Sequence, residues 1–124
     1  MIDQHQAFPF NVSPLPSEAT EISYEWDCPV QLPYYEGHFP GQAILPGVAV
    51  LDASLELTRR AWGRSLKLRK VISMKFSSTV RPGMKIRIHV KREAQNQWLT
   101  EWTDLATGEN LAYLDFETAS AAKL

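Results

Sequence analysis

A loop rich in glycine and proline runs directly into a predicted helix between Gly37 and Asp52, with the sequence GHFPGQAILPGVAVLD. Proline suits the approach to a helix and glycine is tolerated at its N-cap, so Pro46 and Gly47 predict the helix entry. Such a loop presents backbone N–H groups and the imidazole of His38 beside a helix N-terminus. The stretch therefore predicts a candidate site, although a structural turn histidine is the plain alternative for His38.

The helix is predicted over residues 48–62, because Gly63 is a favourable residue just past a helix end. A 3.6-residue repeat places Asp52 on one face with largely apolar neighbours. These neighbours are Val48, Leu51, Leu55, Arg59 and Trp62. Burial disfavours the charged form of a carboxylic acid, and acids in such surroundings serve as acids or bases near neutral pH. The alternative is an Asp52 side chain that points sideways into solvent.

The remaining segments alternate between apolar and polar residues, which predicts strands. The predicted strands are residues 20–26, 66–80 with a bulge near Lys70, 84–90, 97–105 and 111–118. One helix against an antiparallel sheet is an α+β arrangement. Residues 1–18 are expected to form an extended N-terminal arm, 19–118 a single domain and 119–124 a tail. Phe8 and Phe10 of the arm either pack on a protein surface or lie in a loose tail.

Composition narrows the class of protein. A chain of 124 residues with 44% hydrophobic residues can bury one core, and a net charge of −1 argues against general nucleic-acid binding. Cys28 is the single cysteine, so an internal disulfide is excluded and a cytoplasmic location is expected. We find no signal peptide, no apolar run long enough to span a membrane, and no Cys/His spacing typical of a metal site.

The loop and helix resemble a known family. Gly-His-Phe-Pro-Gly, then Ile-Leu-Pro-Gly-Val and an acid in the next helix, resembles the hotdog-fold 3-hydroxyacyl-acyl-carrier-protein dehydratases (FabA/FabZ-like), above all the short, ApeI-like dehydratases of aryl-polyene gene clusters. Met74-Lys75-Phe76 and Val80-Arg81-Pro82-Gly83 resemble a strand and turn of the same family. The resemblance covers residues 19–118. The chain departs from the family pattern at Ala43, where proline is usual, and carries Asp rather than Glu at position 52.

The resemblance implies a role for each matched residue. His38 would be the general base that removes the C2 proton of a 3-hydroxyacyl thioester, and Asp52 would assist loss of the C3 hydroxyl as water. The backbone N–H of Gly47 would hydrogen-bond the thioester carbonyl, where charge develops. The residues expected to contact substrate are Gly47, Val48, Phe39 and Tyr35. In the family the site straddles a dimer interface, so a homodimer or larger homo-oligomer is expected, without metal or organic cofactor.

The sequence leaves alternatives open for the function and for the roles of several residues. The chain is predicted to be a dehydratase, but a hotdog thioesterase or a non-catalytic hotdog that binds acyl carrier protein would share much of the pattern. Tyr34 and Tyr35 either line an acyl tunnel or pack against the helix. Six cations between Arg59 and Lys70, with no acid among them, form either a docking patch for acidic acyl carrier protein or a solvated rim. They are Arg59, Arg60, Arg64, Lys67, Arg69 and Lys70.

Overall fold

One long helix and five strands make up most of the chain, in the order predicted. The computed structural model describes residues 4–35 and 43–120. Its elements are α1 (Gln4–Ala7), β1 (Glu21–Asp27), a 3₁₀ turn (Pro33–Tyr35), α2 (Gly47–Trp62), β2 (Leu66–Phe76), β3 (Lys85–Ala94), β4 (Gln97–Asp104) and β5 (Asn110–Ser120). The predicted α+β class is therefore confirmed. None of the helices described is long and apolar enough to cross a membrane.

The five strands form one antiparallel sheet in the order β1-β3-β4-β5-β2. Strand β1 pairs with β3, and β2 pairs with β5, so these two strands are the edges of the sheet in the part of the chain described. The register of β2 shifts between Leu68 and Lys70 and again between Val71 and Ser73. The bulge predicted near Lys70 is thus confirmed, and bulges of this kind bend a strand and increase its twist.

Helix α2 packs against the buried face of the sheet. Ala49, Val50, Ala53 and Leu57 are buried on the helix, where the small alanine side chains allow close approach. On the sheet, Ile86 and Ile88 of β3, Trp98 and Trp102 of β4, and Ala112, Leu114 and Phe116 of β5 are buried, as their alternation predicts. The indole Nε1 of Trp102 also donates a hydrogen bond of 2.9 Å to Ser54 Oγ on the helix.

The helix ends where the sequence predicts. Gly63 adopts a φ of 146°, which favours glycine, and its N–H donates to the Arg59 carbonyl oxygen at 2.8 Å. Glycine at this position lets the chain leave the helix sharply, so that β2 begins at Leu66.

The N-terminal arm packs on the domain rather than hanging loose. Phe8 and Phe10 are fully buried, and both rings contact Trp26 of β1, at centroid distances of 5.8 and 5.7 Å. Arg60 Nη1 donates to the Phe10 carbonyl oxygen at 2.6 Å, which ties the arm to α2. Of the two alternatives that the sequence left open, the structure thus supports packing.

Candidate active site

Helix α2 begins at Gly47, where the sequence predicts the helix entry. Pro46 is the N-cap residue, with an extended backbone and no side-chain cap, and Gly47 is the first helical residue. The Pro46 carbonyl oxygen accepts hydrogen bonds from the N–H groups of Ala49 and Val50. The N–H groups at the very start of a helix have no acceptor within it, and they lie at the positive end of the helix dipole. The N–H of Gly47 therefore lies at the positive end of the α2 dipole.

Asp52 lies in the second turn of α2 and is half-buried. Its Oδ2 accepts a hydrogen bond of 2.6 Å from the hydroxyl of Tyr34, which lies in the 3₁₀ turn Pro33–Tyr35. The turn thus holds a carboxylate at the same end of the helix as the Gly47 N–H. An acid and an oxyanion donor placed together suit chemistry that transfers a proton and builds charge on a carbonyl oxygen.

The apolar stripe that contains Asp52 is only partly buried within one chain. Leu55 is 3% exposed, whereas Val48 is 58% exposed and Leu51 and Trp62 are half-buried. Ser54, Glu56 and Thr58 are buried among the alanines and leucines of the helix. Asp52 and Val48 therefore lie on a face that is open to solvent or to a second subunit.

Tyr35 lies next to the site but points to different partners. Its hydroxyl donates to the Pro29 carbonyl oxygen at 2.9 Å and lies 3.3 Å from Cys28 Sγ. The ring lines a surface cleft with Val30, Leu32 and Pro33. Burial raises the pKa of the Cys28 thiol, so its reactive thiolate form is disfavoured. Tyr35 is thus placed at a cleft where a substrate chain has room.

Two of the predicted site residues, His38 and Phe39, lie outside the described residues. The structure brings together Asp52 and Tyr34, a contact that was not predicted, and places Gly47 at the start of the helix that carries Asp52. The position of Tyr34 before the histidine loop is the one sequence signal that points to it. In residues 4–35 and 43–120, no group of three or more His, Cys, Asp or Glu side chains is placed to hold a metal ion.

The cluster of six cations divides into two sets. Three of them are used inside the chain: Arg59 Nε donates to the Leu66 carbonyl oxygen, and Arg60 and Arg64 pair with the buried Glu56 at 2.6 and 2.7 Å. The other three, Lys67, Arg69 and Lys70, are exposed on β2. Half of the cluster therefore binds other groups of the same chain, and Lys67, Arg69 and Lys70 are its exposed members on β2.

Comparison with known proteins gives the family. The family model described as "ApeI-like: ApeI dehydratase" matches residues 15–110, which is most of the chain.

The chain belongs to the ApeI-like dehydratase family.

Relatives and solved structures agree with this family. The chain is 32% identical over 69 residues to the 3-hydroxyacyl-acyl-carrier-protein dehydratase FabZ of Lactobacillus helveticus, covering 50% of this chain and 47% of the relative. It is 33% identical over 97 residues to the FabZ of Latilactobacillus sakei, covering 73% and 65%. This ApeI-like chain thus spans about half the length of the first of these relatives.

A solved structure confirms the hotdog fold. The dehydratase heterocomplex ApeI:P from Xenorhabdus doucetiae superposes with a TM-score of 0.71 at 18% identity, covering 84% of this chain and 92% of that chain. At this identity the likeness concerns the fold alone. The helix and curled antiparallel sheet of the ApeI-like chain are therefore those of the hotdog fold.

Proposed function

We propose that the chain is a dehydratase that removes water from a 3-hydroxyacyl thioester on acyl carrier protein and gives the trans-2-enoyl thioester. The observation that carries this proposal is the half-buried Asp52 carboxylate, held by Tyr34 in the second turn of the helix that begins at Gly47. Membership of the ApeI-like family and the names of the FabZ relatives support the same reaction. A cytoplasmic location, where carrier-bound acyl chains are made, belongs to the proposal.

The proposed elimination needs one base, one acid and one oxyanion donor. His38 takes the proton from C2, and the electron pair of that C–H bond moves toward C1. The Gly47 N–H donates to the thioester oxygen while it carries charge. The C2=C3 double bond then forms as the C3–O bond breaks, and Asp52 supplies a proton to the departing hydroxyl, which leaves as water. The assignment of His38 comes from the family resemblance.

Substrate contacts follow from the same arrangement. The exposed side chain of Val48 and the cleft beside Tyr35 flank the helix start, so the acyl chain and the carrier's prosthetic arm have a surface on which to lie. Phe39, next to the proposed base, is assigned to the same surface. An elimination of water transfers no electrons to an external acceptor, so these residues suffice for the proposed reaction.

The partner subunit and the carrier protein are assigned to strand β2. Val71, Ile72 and Phe76 are exposed apolar residues on this edge strand, and an exposed apolar edge favours pairing with another chain. The ring of Phe76 lies close to the backbone of Gly47, since a Cβ on Gly47 would lie 3.2 Å from Phe76 Cζ. A second copy on this edge would therefore lie beside the candidate site. The exposed Lys67, Arg69 and Lys70 suit an acidic carrier protein.

The test is to incubate the protein with a short 3-hydroxyacyl thioester, measure the rate of turnover and determine the mass of the product. Wild type is expected to lose one water per substrate, faster on carrier protein than on N-acetylcysteamine. His38→Ala and Asp52→Asn are each expected to lose about 100-fold or more in rate, as for other general acids and bases.

Matched controls separate the site from general effects. His89→Ala and Asp27→Asn change a histidine and an aspartate on strands away from the site and should keep wild-type rates. Release of free carrier thiol would identify a thioesterase instead. An absence of turnover, with the acyl carrier still bound, would identify a binding module.

A further inference from the structure

The hydrogen bond between Tyr34 and Asp52 joins two residues that are 18 positions apart in the chain. The donor is the phenolic hydroxyl, the acceptor is Asp52 Oδ2, and the distance between the two oxygens is 2.6 Å. This is a short distance for a hydrogen bond between two oxygens, so the phenol holds Asp52 Oδ2 closely. The bond fixes one oxygen of Asp52 and so restricts the direction of the carboxylate.

The ring of Tyr34 is itself held in place. It is buried and stacks against Phe8, with ring centroids 5.6 Å apart and ring planes 25° apart. Phe8 in turn packs on Phe10 and Trp26. A tyrosine has two main side-chain torsions, and burial against the ring of Phe8 restricts both. The N-terminal arm thus determines where the hydroxyl lies.

The hydroxyl also keeps its proton. Burial, and after it the hydrogen bond and the negative charge of Asp52, raise the pKa of Tyr34 well above its ordinary value. Tyr34 is therefore a hydrogen-bond donor throughout the pH range in which enzymes are normally assayed. A donor of constant charge can orient a carboxylate without taking part in proton transfer.

We propose that Tyr34 is a positioning residue for Asp52, and that the N-terminal arm acts on the candidate site through the contact of Phe8 with Tyr34. The inference rests on the proposed function, since it assigns Tyr34 to the acid of that reaction. A half-buried aspartate on a helix has several accessible rotamers, and one hydrogen bond from a fixed donor selects among them. Misplacement of a catalytic group by about 1 Å can cost about 100-fold in rate.

The experiment is a double-mutant cycle in the full chain, with a short 3-hydroxyacyl carrier-protein thioester as substrate. Tyr34→Phe removes the hydroxyl alone and should lower kcat about 10- to 100-fold, with KM changed by less than about twofold. If Tyr34 acts through Asp52, Tyr34→Phe should cause no further loss in an Asp52→Asn background. Where Asp52→Asn leaves no measurable rate, Asp52→Glu serves as the background, and the effect of Tyr34→Phe should shrink in it.

Substitution of Phe8 provides a second test of the proposal. Phe8→Leu keeps an apolar side chain but removes the stacked ring, so kcat should fall less than for Tyr34→Phe. The same substitution should have no effect on kcat in the Tyr34→Phe background, because the contact acts through the tyrosine. A full extra loss in that background would overturn the role of the arm.

Tyr24→Phe is the matched control. The Tyr24 hydroxyl accepts a hydrogen bond from the Asn11 N–H at 3.1 Å, and its ring packs on Phe10 at 5.0 Å, so this variant removes a phenol of β1 that contacts the same arm but leaves Asp52 untouched. It should keep the wild-type kcat. Equal losses in Tyr24→Phe and Tyr34→Phe would mean that the arm merely loosens, and would overturn the inference.

The outcomes separate this inference from the proposed function. Turnover by wild type together with additive losses in the cycle, or with an unchanged kcat in Tyr34→Phe, would overturn the positioning role alone. No dehydration by wild type would overturn the proposed function and the inference with it. Thermal unfolding of each variant shows that the compared proteins are folded at the assay temperature.

Discussion

The burial of Glu56 was not predicted from the sequence. Its side chain is fully buried in α2, where two arginines, Arg60 and Arg64, approach Oε2 at 2.6 and 2.7 Å. Hydrophobic periodicity assigns a glutamate to the solvent side of a helix, so this pattern could not reveal it. Ser54 and Thr58 are buried for a related reason: their hydroxyls donate to the carbonyl oxygens of Val50 and Ser54, one turn earlier.

Removing the charge of Glu56 should destabilise the fold. Glu56→Gln leaves Arg60, which is mostly buried, without its ionised partner, and breaking a buried pair typically costs about 3–5 kcal/mol. The measurement is the free energy of unfolding from urea denaturation, with Glu25→Gln as control. Glu25 is exposed and lies 3.6 Å from Arg87, so its change should cost less than about 1 kcal/mol. Equal losses in the two variants would contradict the buried network.

At the scale of whole elements, the sequence predicted the helix and strands because their signals are local. Gly63 stops α2, and alternation defines β3 and β4, so each boundary is set by a few neighbouring residues. The burial of Ser54 was not predicted, because it depends on the hydrogen bond from the distant Trp102. The hydrogen bond between Tyr34 and Asp52 was not predicted for the same reason, since it forms only when the 3₁₀ turn packs against the helix.

Strand β4 contains a polar group that its alternation places in the core. Thr100 lies between Trp98 and Trp102 on the buried face and pairs in register with Val90 and Leu114. Among the described residues, its Oγ1 has no hydrogen-bond partner. A buried hydroxyl without a partner lowers stability, because its hydration is lost and nothing replaces it.

Thr100→Val should therefore stabilise the protein, by about 1 kcal/mol. Valine keeps the branched shape and the strand preference of threonine and removes the unpaired hydroxyl. Thr118→Val on β5 is the matched control, because Thr118 Oγ1 accepts a hydrogen bond of 2.9 Å from Trp98 Nε1, and it should destabilise by about 1–3 kcal/mol. Denaturation midpoints that move in the same direction for both variants would argue against this assignment.

At the scale of the whole molecule, the two edges of the sheet differ in chemistry. The exposed acids of β1 pair with basic residues of β3, as in the contacts Asp27 to Lys85 at 3.1 Å and Glu21 to His89 at 2.7 Å. Edge β2 exposes the apolar side chains Leu68, Val71, Ile72 and Phe76 beside the cations Lys67, Arg69 and Lys70. Apolar side chains on an edge favour pairing with another chain, and charged ones resist it. The sequence predicts a dimer from resemblance, and we propose that Val71, Ile72 and Phe76 of β2 form its interface.

Ile72→Asp should convert a dimer into a monomer and abolish dehydration. The charge would be buried between two β2 strands, and the proposed site would lose the His38 of the partner subunit. Light scattering measures the molecular mass of each variant, and the dehydration rate is measured on the same samples. Val30→Asp is the control for mass, since Val30 is exposed but lies outside β2, and it should remain dimeric. An active wild-type monomer would contradict the shared site, because one chain would then supply both the base and the acid. An inactive monomer that gains activity with a second kind of hotdog subunit would show that the β2 edge binds a different partner.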